Sequence, residues 1–445
     1  MTRNPKTSGI GRVVRPTRAI PLVLALTMAL VPPASRAAAE PDEDRREDRI
    51  EELEAMVEVL AEVLADLRHG AGGREQNLEH PDTGLAPSAE RIYRTDTGFA
   101  LGGYGEWLYQ NYAARTDAGG PAGRTDTTDF LRLVLYTGYK FSDRILFNAE
   151  LEWEHASTAK SGSASVEFAY LDFLLAPRFG VRAGMMLVPV GLTNELHEPP
   201  VFLSARRPDL ETVILPTTWS ETGVGVWGDL GAWEYRVYLV SSLDAAGFSS
   251  MSGIRGGRQK GSKARAEDWA LTGRLDYRGK AGLLAGVSFF SGDTAQGRQV
   301  AGQTFDGRVT TVDFHALYTW RGLELRGVWA RVEMEDAERI SLLVGEPVGA
   351  RMGGYYLQAG WDLLAASGAR RSQMIVFAKY ESFDTLERVG GSPPPAPTGA
   401  DRSSWTWGVV YKPHPSVALK LDYQDSSNDT ADAVDQIHVA LGFSF

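Results

Sequence analysis

Apolar and polar residues alternate along short stretches of this chain, from about residue 98 to its end. The last stretch shows the pattern most clearly, because apolar side chains occupy every second position from Ile437 to Phe445. The positions between them carry polar or small residues, from Gln436 to Ser444. An alternation with a period of two predicts β-strands that have one apolar and one polar face.

Tight turns and longer loops separate these stretches in a regular order. Seven turns alternate with eight loops and would join about 16 strands, with both chain ends on the turn side. Short turns at one end and longer loops at the other are typical of bacterial outer-membrane barrels. We therefore predict an all-β fold, an antiparallel transmembrane β-barrel of about 16 strands over residues 98–445. The turns are predicted near Ser142, Pro177, Leu230, Gly279, Arg321, Gly368 and His414.

Composition removes several alternatives. The chain of 445 residues contains no cysteine, which excludes disulfide frameworks, cysteine-ligated metals and thiol catalysis. No apolar run of about 18 residues follows the N-terminus, so a bundle of membrane-spanning helices is not expected. A soluble sandwich fits poorly with charged residues opposite aromatic ones in successive hairpins. A propeller would show a repeat of about 40 residues, which the sequence lacks.

The first 39 residues are typical of a signal peptide. A positively charged stretch that ends at Arg18 precedes an apolar core of about 13 residues, from Ala19 to Val31. Small residues then allow cleavage after Ala37 or after Ala39. Retention of the segment as a membrane anchor is the alternative.

A charged, glycine-free segment over residues 40–68 predicts a short coiled-coil helix in the periplasm. The a positions lean toward two strands, whereas porin barrels are usually trimers, and we expect a homotrimer. A single amphipathic helix lying on another surface is the alternative. Residues 69–97 contain several glycines and prolines and predict a linker. The heptad positions are Ile50, Leu53, Val57, Leu60, Leu64 and Leu67.

The phase of the strands assigns charged residues to the lumen of the predicted barrel. Seven basic and seven acidic residues fall on the inner face, so the wall has mixed charge, and some of these residues could be structural pairs. Residues 166–175 and 373–380 are apolar on both faces, which a trimer contact, a plugged lumen or a misplaced phase would explain. The inner charges are Arg132, Lys140, Arg236, Arg274, Arg278, Arg326, Lys420, Glu150, Glu152, Glu154, Glu234, Asp276, Glu324 and Asp422.

The third external loop, about Pro189 to Ser220, is the longest. Its five prolines make it stiff, and its apolar run from Val213 to Leu215 needs a dry environment. Folding against the inner wall would satisfy both requirements and form a pore constriction; a cap or a trimer latch outside the barrel is the alternative. A second histidine at the spacing of the zinc-helix motif is absent. The constriction residues would be Glu195, His197, Glu198, Arg206, Arg207 and Asp209.

The fourth external loop is rich in glycine and basic residues. Five positive charges on such a segment could attract anions to the mouth of a channel. Simple solvation, or binding of lipopolysaccharide phosphates, would account for the same pattern. These residues are Arg255, Arg258, Lys260, Lys263 and Arg265.

Several segments around the third loop resemble the phosphate-selective porin O/P family, and most of all its branch of uncharacterised outer-membrane porins. The resemblance covers about residues 98–445 and implies a porin barrel. Members with proven phosphate selectivity carry an arginine ladder and a lysine cluster in the channel, whereas the inner wall here has as many acids as bases. The similar segments are AGMMLVPVG (183–191), LHEP (196–199), RP (207–208), ILPTTW (214–219) and GVG (223–225).

The leading functional hypothesis is a passive outer-membrane porin for small ions, including anions such as phosphate, or for hydrophilic solutes. It would need no catalytic centre, metal or cofactor. Its partners would be the outer membrane with its lipopolysaccharide and, through the terminal aromatic Phe445, the barrel-assembly machinery. One alternative is a barrel enzyme of esterase or protease type, although no G-x-S-x-G motif occurs. Another is a structural anchor that tethers a periplasmic partner.

Overall fold

A computed structural model describes residues 84–159, 161–176, 178–366, 372–390 and 398–445. The predicted signal peptide, the predicted coiled coil and the linker up to residue 83 lie outside these described residues. The account below therefore concerns the barrel and the short segment before it.

Sixteen strands of the described residues form a closed antiparallel barrel, which confirms the predicted fold class. Each strand pairs with its neighbours in sequence, and the first strand closes the barrel on the last, with Trp107 opposite Leu441. The strands are β1 Gly98–Tyr112, β2 Thr127–Ser142, β3 Ile145–Glu154, β4 Ser163–Ala176, β5 Phe179–Leu187, β6 Ser220–Asp229, β7 Trp233–Ser241, β8 Trp269–Tyr277, β9 Leu283–Gly292, β10 Val309–Trp320, β11 Leu323–Met334, β12 Gly349–Asp362, β13 Gln373–Val389, β14 Asp401–His414, β15 Val417–Asn428 and β16 Gln436–Ser444.

The connections alternate between short turns and longer loops, and turns lie at the predicted positions near Ser142, Leu230, Gly279, Arg321 and His414. The predicted turn positions Pro177 and Gly368 lie outside the described residues. Arg321 and Gly322 illustrate the turn chemistry, because both have positive φ angles, of 48° and 90°. Two central residues with positive φ match the twist of a two-residue hairpin, and glycine adopts the second position without strain. Loop 3 comprises residues 188–219 and loop 4 comprises residues 242–268. Short α-helices occur within two loops, α1 Leu210–Val213 in loop 3 and α2 Ala337–Val344 between β11 and β12.

The outer face of the barrel exposes large apolar side chains. In β16, Ile437 is 42 % exposed whereas its neighbour His438 is 1 % exposed, so the two faces alternate as the sequence predicts. On the outer face, tryptophan and tyrosine rings of neighbouring strands pack against each other. The ring centroids of Trp407 and Tyr423, for example, are 5.2 Å apart. Within the described residues, no helix is long and apolar enough to cross a membrane.

The inner face of the barrel packs against protein segments that lie inside it. Phe168 and Tyr170 of β4 face the segment before β1, where the hydroxyls of Tyr170 and Tyr93 are 3.1 Å apart. Ile375 and Phe377 of β13 pack against Leu203 of loop 3. A filled lumen therefore accounts for the apolar character of both faces in these two strands.

Candidate functional site

Loop 3 runs down the inside of the barrel to the end that carries the tight turns. Three basic side chains of the wall donate hydrogen bonds to carbonyls of the loop. Lys412 donates to Pro200 at 2.8 Å, and Arg326 donates to Val201 at 2.9 Å. Lys420 donates to Phe202 at 2.8 Å and to Ser204 at 2.9 Å. Each donor lies within a few residues of a turn. These charge-assisted hydrogen bonds fix the lower part of loop 3 to the wall.

The upper part of loop 3 is fixed by one buried carboxylate. Glu211 of α1 accepts hydrogen bonds from the backbone amides of Leu192 and Thr193, at 2.6 and 2.7 Å, and from the hydroxyl of Thr193 at 2.6 Å. The hydroxyl of Tyr356 in β12 donates to the same carboxylate at 2.8 Å. Glu211 therefore ties the two limbs of the loop to each other and to the wall.

Two of the predicted constriction residues form buried ion pairs with the wall. A carboxylate oxygen of Glu195 lies 3.5 Å from guanidinium nitrogens of both Arg236 and Arg274. Nε2 of His197 lies 3.1 Å from a carboxylate oxygen of Glu150, and its Nδ1 contacts a loop carbonyl. Burial opposes the charged form of His197, but the neighbouring carboxylate of Glu150 outweighs burial and raises the pKa of His197.

Glu198 at the tip of loop 3 contacts the segment before β1 instead of the wall. Its carboxylate accepts the backbone amides of Ser88 at 2.9 Å and Ala89 at 3.3 Å. No lysine or arginine of the described residues pairs with it. Burial raises the pKa of Glu198 to about 7, even though the two amides and His197 act in the opposite direction.

Arg206, Arg207 and Asp209 face the polar space that remains beside loop 3. The side chain of Arg206 is 38 % exposed, and its guanidinium lies 3.6 Å from a carboxylate oxygen of Asp209. The carboxylate of Asp209 also accepts a hydrogen bond from the side-chain amide of Gln424. Arg207 donates to the carbonyl of His197 at 3.3 Å. A small polar cavity of about 10 Å³, with room for about one water molecule, adjoins these side chains. Its lining is Ser204, Arg206, Arg207, Asp209, Lys379, Thr406, Asp422, Gln424 and His438.

The charged residues predicted to line the lumen lie on the inner wall, and most of them are buried and paired. Arg132 lies 3.2 Å from Glu106 and 3.7 Å from Glu152. Arg236 and Arg274 share Asp276, at 2.6 and 2.7 Å. The inner wall is therefore a set of compensated charges, and the loops inside the barrel use the same charges as anchors. Further pairs are Arg278–Glu234, Arg326–Glu324 and Asp422–His438.

The basic residues of loop 4 contact other loops and the wall. Arg255 donates to the carbonyl of Thr212 at 2.6 Å, and Arg258 donates to the carbonyl of Thr217 at 2.5 Å, so both brace loop 3. Lys260 pairs with Glu167 at 3.0 Å, and Arg265 donates to the carbonyl of Gln296. Lys263 is exposed. Burial and the neighbouring charges of Arg258 and Arg207 lower the pKa of Arg255 to about 9.

A buried chain of polar side chains includes a serine and a histidine. Ser288 donates to Asp313, whose second oxygen lies 2.7 Å from Nδ1 of His315, and Nε2 of His315 contacts Asp276 at 2.8 Å. The serine hydroxyl thus contacts a carboxylate and not the imidazole, so these residues are not ordered as nucleophile, base and acid. Within the described residues, no group of three or more potential ligands could hold a metal ion.

A relative in Aquifex aeolicus (strain VF5), described as an uncharacterized protein, is 37 % identical over 359 residues, which cover 77 % of this chain and 79 % of that protein. The chain belongs to the same family as this relative. No family model matches the sequence.

Solved structures of outer-membrane proteins share the architecture. The outer membrane channel DcaP of Acinetobacter baumannii covers 78 % of this chain and 97 % of its own, with a TM-score of 0.51 and 14 % identity. OmpF of Salmonella typhi covers 80 % of this chain and 99 % of its own, with a TM-score of 0.48 and 12 % identity. The likeness to DcaP shows a common fold.

Sequence reasoning missed several residues that organise the interior. Glu211 lies within the predicted third loop, but its role as the acceptor that joins the two limbs depends on how that loop folds. The segment from Gly84 to Thr95, the described end of the predicted linker, lies inside the barrel and is largely buried. One signal in the sequence was available: Gly102 and Gly138 interrupt the inner faces of β1 and β2 where that segment lies.

Proposed function

We propose that this protein is a porin of the bacterial outer membrane, a passive channel for small ions or hydrophilic solutes. The observation that carries the proposal is the charged loop 3 inside a closed barrel of 16 strands. A barrel of this size is wide enough for an aqueous channel, and an inserted loop reduces that channel to a selective passage.

The outer surface supports a location in the membrane. Exposed side chains such as Leu357, Leu421 and Trp405 would be unfavourable in water but suit contact with lipid. In this proposal the tight turns face the periplasm, the long loops face outward near lipopolysaccharide, and the last strand with Phe445 is the signal to the assembly machinery. Porin barrels usually assemble as trimers, and a homotrimer is part of the proposal.

The proposed solute path follows the polar side of loop 3. Arg206, Arg207 and Asp209 border the remaining space, opposite inner residues such as Gln424. Charges of both signs would bind solutes weakly at several points, which allows a solute to leave as well as to enter. The exposed guanidinium of Arg206 would then contribute directly to ion selectivity.

A more specific part of the proposal is that the channel conducts anions, including phosphate. Burial, together with the charges of Arg258 and Arg207, lowers the pKa of Arg255, so three guanidinium groups from two loops lie close together here. An anion passing this point would relieve that repulsion. The resemblance to the phosphate-selective porins points in the same direction, although the paired charges of the inner wall do not form an uninterrupted basic ladder.

Conductance across planar lipid bilayers tests the proposal. The full-length protein should give stepwise current, and Arg206→Glu should shift the reversal potential in a salt gradient toward cation selectivity. Lys263→Glu makes the same charge change at an exposed position of loop 4 and should shift it much less. Phosphate added to a chloride solution should reduce the current if the passage binds phosphate. A protein without current steps would contradict the channel, and equal shifts for both variants would contradict the path along loop 3.

A further inference from the structure

A second segment lies inside the barrel beside loop 3. It consists of residues 84–95, which we call the inner segment. It begins against the guanidinium of Arg236 in β7, and at its other end the carbonyl of Thr95 accepts a hydrogen bond from Lys140 in β2 at 2.8 Å. Leu85 and Ile92 are 1 % and 2 % exposed. The inner segment therefore crosses one half of the lumen at the end that carries the turns.

The inner segment and the tip of loop 3 meet inside the barrel. Residues 201–204 of loop 3 lie in the half of the lumen lined by β11 and β14 to β16, where Arg326 and Lys420 bind their carbonyls. The inner segment occupies the half lined by β2 to β7. The two are joined by the hydrogen bonds from Ser88 and Ala89 to Glu198. Together they narrow the turn end of the lumen, and movement of either one would widen a solute path.

The wall carries a shaped seat for the inner segment. A side chain at Gly138 would place its Cβ atom 2.8 Å from the Cβ atom of Ile92, and one at Gly102 would approach the carbonyl oxygen of Ser88 to 2.9 Å. Such distances are shorter than van der Waals contact. Glycine at these two inner positions of β1 and β2 therefore leaves the groove in which the inner segment lies.

One attachment of the inner segment leaves a buried pair of the wall intact if the segment departs. Tyr93 donates to Asp172 at 2.5 Å and accepts from Arg182 at 2.9 Å, but Arg182 and Asp172 also pair with each other at 2.8 Å. Asn148, which donates to the carbonyl of Ala89, is a neutral amide. Departure would also return the buried carboxylate of Glu198 to water. Because Arg182 and Asp172 keep each other, release of Tyr93 leaves this buried pair intact.

We propose that the inner segment is a gate that closes the turn end of the channel when it is docked against Glu198 and the glycine groove, and opens the channel when it leaves. Loop 3 remains in place during this change because charged side chains of the wall hold it on both limbs. The inference rests on the proposed function as a channel.

A reversible crosslink tests the gate in the full-length protein. The chain has no native cysteine, so Ile92→Cys with Gly138→Cys gives a single possible disulfide. The present Cβ separation of 2.8 Å needs to grow by about 1 Å to reach disulfide geometry, which a small movement of the segment provides. We expect the oxidised double variant to conduct at least tenfold less than the wild type, and reductant to restore the current. The oxidant should leave the current of the single variant Ile92→Cys unchanged.

A second variant avoids any change to the wall. Ile92→Ala removes the side chain that fills the groove and should raise the open probability several-fold. An oxidised double variant that conducts as well as its reduced form, with the crosslink verified by mass spectrometry, would overturn the gate and leave the channel intact. Absence of current from the wild type, the reduced double variant and Ile92→Ala would instead overturn the proposed function, and the gate with it.

Discussion

Loop 3 and the inner segment both lie inside the barrel, but they are held by different chemistry. Loop 3 is anchored by charges on several strands, including Lys420 on its carbonyls and the pair of arginines around Glu195. The inner segment is held by single hydrogen bonds, such as those of its carbonyls with Asn148 and Lys140 and of its amides with Glu198, and by apolar contacts at Ile92. Removal of loop 3 would take Glu195 away from Arg236 and Arg274, whereas removal of the inner segment leaves the buried pair of Arg182 and Asp172 intact. The same lumen therefore contains one permanent and one releasable element.

Glu195→Gln should produce the largest loss of stability. The substitution removes the carboxylate between Arg236 and Arg274, and Asp276 remains as their shared partner. Breaking a buried pair typically costs about 3–5 kcal/mol, and the lower end applies because Asp276 still compensates part of the charge. Urea unfolding in detergent, followed by tryptophan fluorescence, would measure the loss in the free energy of unfolding.

Arg206→Gln is the control for that measurement. Its partner Asp209 forms an ion pair near the remaining polar space, and exposed pairs contribute about 1 kcal/mol or less. Equal losses for both variants would mean that loop 3 is not anchored by its buried charges, and the contrast with the inner segment would fail.

The strand framework could be predicted from the sequence because it depends on local patterns. Alternation with a period of two marks each strand, and turn residues such as Gly322 mark the hairpins, so neighbouring residues carry the information. The inward fold of loop 3 was also expected, since its apolar run needed a dry place. The structure places Ile214 and Leu215 at 0 % and 1 % exposure.

The contacts inside the barrel could not be predicted in the same way. Ser88 and Glu198 are 110 positions apart, and nothing local to either residue indicates the other. The basic cluster of loop 4 gave an incomplete picture for a similar reason. The sequence left open whether Arg255 and Arg258 attract anions, bind lipopolysaccharide or are simply solvated, and in the structure their hydrogen bonds go to carbonyls of loop 3. Pairing partners across a barrel depend on register and on loop conformation, which composition does not encode.

Docking of the inner segment should weaken as the pH rises, which gives the second largest effect. Burial raises the pKa of Glu198 to about 7 in the docked state, and release to water would return it to its ordinary lower value. Protonation therefore favours docking. Its contribution is complete below the ordinary pKa and is lost as the pH rises through about 7, at about 1.4 kcal/mol per pH unit. The titratable neighbours are His197 and Tyr136, and the charge of His197 opposes the effect of burial on the pKa of Glu198.

Single-channel recording between pH 5 and pH 8 would measure this dependence as a rise in open probability. Glu198→Gln keeps an acceptor for the amides of Ser88 and Ala89 but cannot ionise, so it should remain closed and lose the dependence. Glu335→Gln makes the same change at an exposed position and should behave as the wild type. An identical pH profile for Glu198→Gln and the wild type would show that another group controls the docking.

The smallest effect is expected from a single methyl group in the seat of the inner segment. Gly138→Ala would place a Cβ atom 2.7–3.0 Å from three side-chain atoms of Ile92 and should weaken docking by about 1 kcal/mol, the low end for overpacking, because the segment can shift. That change corresponds to about a fivefold rise in open probability. Gly327→Ala is the matched control on the outer face, where the nearest atom is the flexible end of Leu357 at 2.9 Å. It should leave the current unchanged, because the added methyl group is far from the lumen. Gly138→Ala could instead lower the stability of the barrel in urea without lowering the fraction of time that the channel is closed. Glycine at position 138 would then be needed for packing of the strands and not for docking of the inner segment. The proposed difference in mobility between loop 3 and the inner segment would be lost.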